Sequence, residues 1–380
     1  MRVVLEKNNL LHSLQIVSRA VPSRTTKPIL YGIRFVAEQS QLTLCAYDLE
    51  IGIENTLTYD PETNPPILQI EEPGSIVLHA RYLIDIVRKL PHHLVRIDVQ
   101  DLTTTIRSGN ATYTLNGMDP REYPQLPQVD DQTGLSVASD ALMKLIDHTA
   151  FSVAVSESRP TLTGVLWTYR EGLLVFTATD SHRLSTQTLQ VGVPKGYEDV
   201  DAIIPGKSLL ELARILPDSD AVCDLYLADN QLLVRFENTR FYSRLIDGKY
   251  PDVSRIIPTT WRTAITVEPK SFTDCIERAA LLARDNDNQV IRMNLRRTHI
   301  EISSHSPEIG KITETMEPNT FEGEDMLIGC NSKFLMDALK ASSDSLVRIE
   351  FSGPGSAFML KSIQDERHLH LILPVRVVNN

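Results

Sequence analysis

The chain has 380 residues, is 42% hydrophobic, and carries 38 Lys and Arg against 49 Asp and Glu, for a formal net charge of −11. That length and apolar content allow two or three packed domains, while the acidic balance excludes a protein held on nucleic acid by bulk charge. Polar residues interrupt the opening MRVVLEKNNLLHSLQIV every few positions and no later apolar run reaches membrane-spanning length, so no signal peptide, no membrane and a cytoplasmic location are expected.

Taken in chain order, the strand-like RVVLE leads into a helix expected over residues 7–19, the apolar run LTLCAYD follows, and RYLIDIVRKLP from Arg81 reads as a second helix. Pro91 should stop it at residue 90. The segment REYPQLP closes this stretch with a Tyr-Pro pair at Tyr123. The same order then recurs. LSVAS leads to a helix over 141–150, LLVFTAT is a strand, KSLLELARILP from Lys207 is a helix expected over 207–216 and stopped by Pro217, and GKYPDVSRIIP closes with a Tyr-Pro pair at Tyr250. In the last third, AITVE precedes a helix over 271–284, IEISSHS reads as a strand, and KFLMDALKASS from Lys333 as a helix over 333–341. Arg81, Lys207 and Lys333 stand 126 residues apart, and each opens a helix with apolar residues at helical spacing and an acid followed three positions later by a base (Asp85 and Arg88, Glu211 and Arg214, Asp337 and Lys340). The chain therefore reads as three copies of one α+β domain, 1–127, 128–260 and 261–380, each with two helices and many short strands.

Residues Asp180 to Arg183 place an aspartate, a serine, a histidine and an arginine side by side, the residue types of a hydrolase triad. They follow the run GLLVFT and fall between two strands, where neighbouring side chains point to opposite faces. The stretches around Asp48, Asp180 and His305 are expected to occupy the same turn in the three copies, which gives the aspartate a turn role. Only the second copy carries His-Arg-Leu, so Ser181 to Leu184 read as a surface site added to one domain. Cys45, Cys223, Cys275 and Cys330 form no CxxC pair and the ten histidines show no zinc spacing, so reduced thiols, no metal and no cofactor are expected.

Three tandem domains of this pattern, with ATDSHRL in the second, LILPVR near the carboxyl end, and KPIL at 27–30, LIDGKYPD at 245–252 and RRTHIEIS at 296–303, resemble the bacterial DNA polymerase III beta subunits, the sliding clamps, over the whole chain. The resemblance implies a DNA clamp fold in which antiparallel sheets carry the helices and two subunits close head to tail into a ring around duplex DNA. It implies a non-catalytic accessory subunit, a processivity factor, whose partners are double-stranded DNA, a second copy, the DNA polymerase III catalytic subunit, the clamp loader, and other polymerases and repair proteins that bring short linear peptides. The implied peptide pocket comprises Leu162, Thr179, Ser181, His182, Arg183, Leu184, Pro251, Arg255, Ile256, Leu371, Leu373, Pro374, Val375 and Arg376. The extra VVNN after Arg376 leaves the role of Val377 and Val378 open. Tyr113 and Leu115 would pack on Leu281 and Leu282 across the subunit contact, an edge strand meeting a helix.

This resemblance accounts for the net charge. The six expected helical segments sum to +6 against −17 for the remainder. A modestly basic lining inside an acidic shell guides a duplex without gripping it, because salt screens charges beyond about 8 Å at physiological ionic strength. Arg24, Arg81, Lys144, Lys207 and Lys333 are the expected DNA contacts. Two rivals stand beside the clamp: an acidic repeat scaffold that assembles proteins without encircling DNA, and a Ser/His hydrolase at 180–183, which lacks a GxSxG elbow.

Overall fold

The computed structural model describes residues 1–59, 68–131, 133–193, 199–228, 230–283, 289–342, 344–365 and 367–376. The first copy runs β1 (Arg2–Glu6), α1 (Lys7–Val17), β2 (Gly32–Ala37), β3 (Gln41–Tyr47), β4 (Ile51–Thr58), β5 (Leu68–Glu72), β6 (Gly74–His79), α2 (Ala80–Lys89), β7 (Leu94–Gln100), β8 (Thr103–Ser108) and β9 (Ala111–Asn116). The second runs β10 (Leu135–Ala138), α3 (Ser139–Asp147), β11 (Gly164–Arg170), β12 (Leu173–Thr179), β13 (Arg183–Gln190), β14 (Val200–Pro205), α4 (Gly206–Ala213), β15 (Val222–Ala228), β16 (Gln231–Phe236) and β17 (Thr239–Arg244). The third runs β18 (Thr263–Val267), α5 (Pro269–Ala279), β19 (Val290–Leu295), β20 (Ile300–Ser306), β21 (Gly310–Met316), β22 (Thr320–Gly323), β23 (Met326–Asn331), α6 (Ser332–Ala341), β24 (Val347–Phe351), β25 (Phe358–Ser362) and β26 (His368–Ile372). Among the described residues each α-helix starts within two residues of the end of a strand and overlaps one of the six expected segments, although α1 ends at Val17 where 19 was expected and α3 runs Ser139–Asp147 where 141–150 was expected.

The helices form because their apolar residues recur at one face. Leu10, Leu14 and Val17 of α1, Leu83 and Val87 of α2, and Phe272, Cys275, Ile276 and Ala279 of α5 are all buried. Each large aliphatic side chain so buried contributes about 1.5–3 kcal/mol. Pro91 ends α2 as expected: Leu90, ahead of it, is extended at φ −59° and ψ 138°. The fourth helix stops at Ala213, short of the expected residue 216, because the Leu212 carbonyl accepts from the N–H groups of both Ile215 and Leu216 and tightens the chain before Pro217. The fifth ends at Ala279 and continues as a 3₁₀ turn, Ala280–Leu282, where a helix reaching 284 was expected; Arg284 lies outside the described residues. Asn331 caps α6 by accepting from the Phe334 N–H at 3.2 Å.

The chain divides into two compact units, with Met1–Asp140 and Glu211–Leu245 in the first, and Ala141–Val193, Glu198–Leu210 and Ile246–Asn380 in the second. The first holds a five-stranded sheet, β5-β1-β7-β8-β9, and an eight-stranded sheet, β10-β15-β16-β17-β4-β3-β2-β6. The second holds a nine-stranded sheet, β14-β11-β12-β13-β26-β25-β24-β18-β22, and a four-stranded sheet, β21-β20-β19-β23. Both long sheets cross from one copy to the next by the same rule. The strand that leaves the inter-strand turn of one copy (β4, then β13) pairs antiparallel with the last strand of the next (β17, then β26).

The shared turn is built alike in the first two copies. Asp48 Oδ1 accepts the N–H groups of Glu50 and Ile51 at 2.9 and 2.6 Å, and Asp180 Oδ1 accepts those of His182 and Arg183 at 2.8 and 3.0 Å. Leu49 and Ser181 between them take the left-handed conformation, at φ 81° and 78°. In the third copy the expectation about His305 is corrected. Strand β20 runs on through Ser306, with His305 paired to Lys311, so the turn falls on Pro307, Glu308 and Ile309. Proline stands where the aspartate would be and supplies no side-chain acceptor.

Candidate functional site

Arg183 to Ile372 is the second cross-copy seam, and the candidate pocket is built around it. Strand β13 begins at Arg183 and pairs with β26 so that Leu184 faces Leu371 and Arg183 faces Ile372. Leu184 and Leu371, each 1% exposed, form one apolar group with Met359, on which Val253, Ile257, Ala357 and Leu369 pack. Leu162 belongs to a neighbouring group with Ile203 and Tyr250. Tyr250 connects the two regions: its hydroxyl accepts the Thr179 N–H at 3.0 Å, and burial pushes its phenol up to about 12. The carboxyl-terminal segment is tied on both sides, with Leu373 N–H donating to the His182 carbonyl and Val375 N–H to the Gly329 carbonyl, both at 2.8 Å. The structure thus brings Thr179, Leu184, Leu371, Leu373, His182 and Tyr250 into one connected region from segments nearly two hundred residues apart.

Ser181, His182, Pro251, Arg255, Ile256, Leu373 and Arg376 are exposed, with Pro374 and Val375 half-buried. Ile256 and Leu373 are 49% and 41% exposed, a high figure for large aliphatic side chains side by side with an apolar wall. The equivalent of Ile256 after the first Tyr-Pro pair, Val129, packs instead against Tyr226, Leu233 and Tyr242. Asp252 is held below the usual carboxylate range by hydrogen bonds from the Ser254 hydroxyl and N–H. Val377 and Val378 lie outside the described residues.

The triad residues are engaged otherwise. The Asp180 carboxylate is taken by the turn and by Arg183 Nε at 3.0 Å, and Ser181 Oγ accepts from Arg159 at 3.1 Å. Arg183 differs from the expected docking wall: its residue is 8% exposed and its guanidinium turns to the helix side of the sheet. There it donates to Asp337 Oδ2 on α6 at 2.7 Å and to the Phe151 carbonyl at 2.6 Å, and lies over the rings of Phe151 and Phe334 at 5.3 and 4.5 Å.

Arg24, Arg81, Lys144, Lys207 and Lys333 are all exposed, four of them on helices and Arg24 in the loop after α1. Tyr113 and Leu115 share one face of β9, an edge strand of the five-stranded sheet among the described residues, and are half-buried. Leu281 is 51% exposed in the 3₁₀ turn after α5, with Leu282 half-buried beside it. Sequence reasoning missed β21, an edge strand of the four-stranded sheet among the described residues; its alternation in KITETM was the available signal.

It also missed three histidines behind the seam. His148 and His368 stack at 4.1 Å between ring centroids, and His368 meets His370 edge-on at 4.2 Å. The period-two spacing in HLHL was the one clue that 368 and 370 share a face.

Three copies of one α+β unit, joined by sheets that run across copy boundaries and carrying two helices each, define a protein of the sliding-clamp fold class. Family models described as the N-terminal, central and C-terminal domains of the DNA polymerase III beta subunit match residues 1–127, 136–252 and 254–376. The chain is 42% identical to the beta sliding clamp of Bacillus subtilis over 378 residues, 99% of this chain and 100% of that protein, and 39% identical to that of Staphylococcus epidermidis over 99% of each. The solved DNA polymerase sliding clamp from Bacillus subtilis superimposes with a TM-score of 0.94 over 100% of both chains. A sliding clamp from Pseudomonas aeruginosa bound to griselimycin, 28% identical, gives 0.91 over 99% and 100%. The chain belongs to the DNA polymerase III beta subunit family, the bacterial beta sliding clamps.

Proposed function

We propose that this protein is the processivity factor of a replicative DNA polymerase: a homodimer of three-domain subunits (1–127, 128–260 and 261–380) that encircles duplex DNA and holds polymerases, the clamp loader and repair proteins by short peptides. The observation that carries it is the repeated seam. Copy one joins copy two through β4 and β17, and copy two joins copy three through β13 and β26. By the same rule the strand leaving the third turn, β21, requires the last strand of a first copy, β9, and both are sheet edges among the described residues. An open edge is a template for pairing, and here one edge belongs to the first copy and the other to the third, which supports head-to-tail self-assembly. Leu281→Glu, on a side chain already half in solvent, is therefore expected to convert a dimer to a monomer in equilibrium sedimentation; an unchanged dimer mass would move the interface elsewhere.

Arg24, Arg81, Lys144, Lys207 and Lys333 are the DNA contacts in this reading. The role is that of an accessory subunit, since the Asp180 carboxylate and the Ser181 hydroxyl serve the turn and Arg159. The peptide pocket is the region around Leu184 and Leu371, with Leu162, Thr179, His182, Pro251, Arg255, Pro374, Val375 and Arg376 around it and Ile256 and Leu373 as exposed apolar anchors. Arg183 positions the seam from behind. Ile256→Glu combined with Leu373→Glu is expected to weaken binding of a peptide from the polymerase catalytic subunit by about 2–4 kcal/mol, since a few anchors carry most of the energy of a small site. Primer extension on a loaded circle should shorten accordingly while thermal stability is retained. Undiminished binding in calorimetry would place the pocket elsewhere.

A further inference from the structure

Strand β26 presents one face to the pocket region and the other to a cluster of histidines. Side chains of β26 alternate, so Leu371 points into the apolar wall while His368 and His370 point to the helix side. Both residues are buried, 4% and 3% exposed. Across the seam His370 faces Ser185, whose hydroxyl lies 2.7 Å from His370 Nδ1 and 2.6 Å from Ser152 Oγ, and His368 faces Gln187, whose Oε1 lies 2.9 Å from His148 Nδ1. Nε2 of His368 and Nε2 of His370 are buried with no protein hydrogen-bond partner among the described residues. A crevice of about 490 Å³, lined by Lys144, Asp147, His148, Phe151, Asp337 and Lys340, opens onto the outermost ring.

We infer that this histidine stack is an acid-sensitive latch on the peptide site: proton uptake by His368 and His370 opens the β13–β26 seam and empties the pocket on its other face. The inference rests on the pocket reading above. A charged ring carries an N–H on both nitrogens, and its Nε2–H would meet no acceptor among the described residues, inside a stack of further imidazoles. The charged groups around the stack offer little compensation. Arg183 on β13 repels, and β25 supplies the neutral Leu360 opposite His370. Lys144 and Asp147 near the end of α3, and Lys340 and Asp337 on α6, line the crevice with one cation and one carboxylate each, and Asp337 is already bound to Arg183. Among the described residues, Asp365, ahead of β26, is the group that favours a proton on His368. Consistent with this, burial and then the neighbouring His148 lower His368 to about 3, and burial followed by His368, His148 and Arg183 holds His370 well below its ordinary value.

The sign follows from linkage. With the seam closed both rings are neutral; with it open they titrate near the ordinary histidine value of about 6.5. Between those limits the open form binds more protons, so the seam weakens as pH falls below about 6.5 and is indifferent to pH above about 7.5. At pH 5 each ring favours opening about 30-fold over its value at neutral pH.

The test combines two readouts on the full-length protein at pH 7.5 and 5.0: amide hydrogen exchange in β13 and β26, corrected for the intrinsic pH dependence, and the affinity of a synthetic peptide from the carboxyl terminus of the polymerase catalytic subunit. Opening should rise by a factor approaching 10³ at pH 5.0, peptide affinity should fall with it, and His368→Gln with His370→Gln should abolish the acid response of both. His182→Gln, measured in parallel, should retain the acid response of exchange in β13 and β26, which separates the stack behind the seam from the histidine in front of it. Exchange unchanged by acid, an acid response that persists in the double variant, or opening without loss of affinity would each overturn the latch. Absence of peptide binding already at pH 7.5 would overturn the pocket reading, and the regulation with it, whereas exchange in the wild-type protein still reports on the seam.

Discussion

Arg183→Ala is expected to destabilise the second unit by about 3–5 kcal/mol and to lower its melting temperature by on the order of 10 °C. The guanidinium makes charge-assisted bonds to two carboxylates, Asp180 and Asp337, and to the Phe151 carbonyl, with side-chain exposures of 9%, 14% and 27% for Arg183, Asp180 and Asp337. Alanine would leave Asp337 and a part-buried carbonyl without this donor and would uncover the faces of Phe151 and Phe334 on which the cation lies. An exposed ion pair would predict well under 1 kcal/mol, so a calorimetric melting scan separates the alternatives. Because Arg183 is also the first residue of β13, facing Ile372, peptide binding should weaken in the same variant without Arg183 touching the peptide. A melting temperature within 2–3 °C of the wild type would show that its partners relax into solvent instead.

The duplicated architecture was legible because helix periodicity and proline stops are local signals. A cation, an apolar stripe and an acid-base pair at a spacing of 126 residues need only neighbouring positions to be read. The turn role of Asp180 was legible for the same reason, since an aspartate folding over its own next two or three amides is a property of four residues. In the third copy local reasoning misplaced the turn by two positions, because the strand propensity of IEISSHS does not say where the hairpin reverses and Pro307 replaces the aspartate that marks it elsewhere. The seams were not legible: Leu184 and Leu371 are 187 positions apart, and strand pairing at that separation is settled by the packing of both faces, not by either segment. The Tyr-Pro pairs were visible as repeats, yet their work, with Tyr123 accepting the Tyr47 amide and Tyr250 that of Thr179, appears only when the chain is folded. Arg183 shows the same limit, since no sequence pattern tells whether the arginine of a His-Arg-Leu run faces the solvent or the helix layer beneath.

Retention on DNA by enclosure has as its expected signature a residence time set by the topology of the DNA. The segments expected to be helical sum to +6 against −17 for the rest of the chain, and the helices as folded to only +3 against −14, too few phosphate contacts to hold a duplex against salt. A protein held by phosphate contacts loses affinity steeply as counterions are added, whereas a linked ring leaves only when the ring opens or the DNA ends. The decisive measurement loads the protein with its clamp loader onto nicked circular DNA, raises the salt, and follows how much remains before and after a single restriction cut. Retention on the circle through a wash that strips ordinary non-specific binders, followed by rapid loss on linearisation, is the predicted result. Equal residence on circular and open-ended linear DNA, with a steep salt dependence on both, would contradict enclosure and leave an ordinary DNA-binding protein in its place.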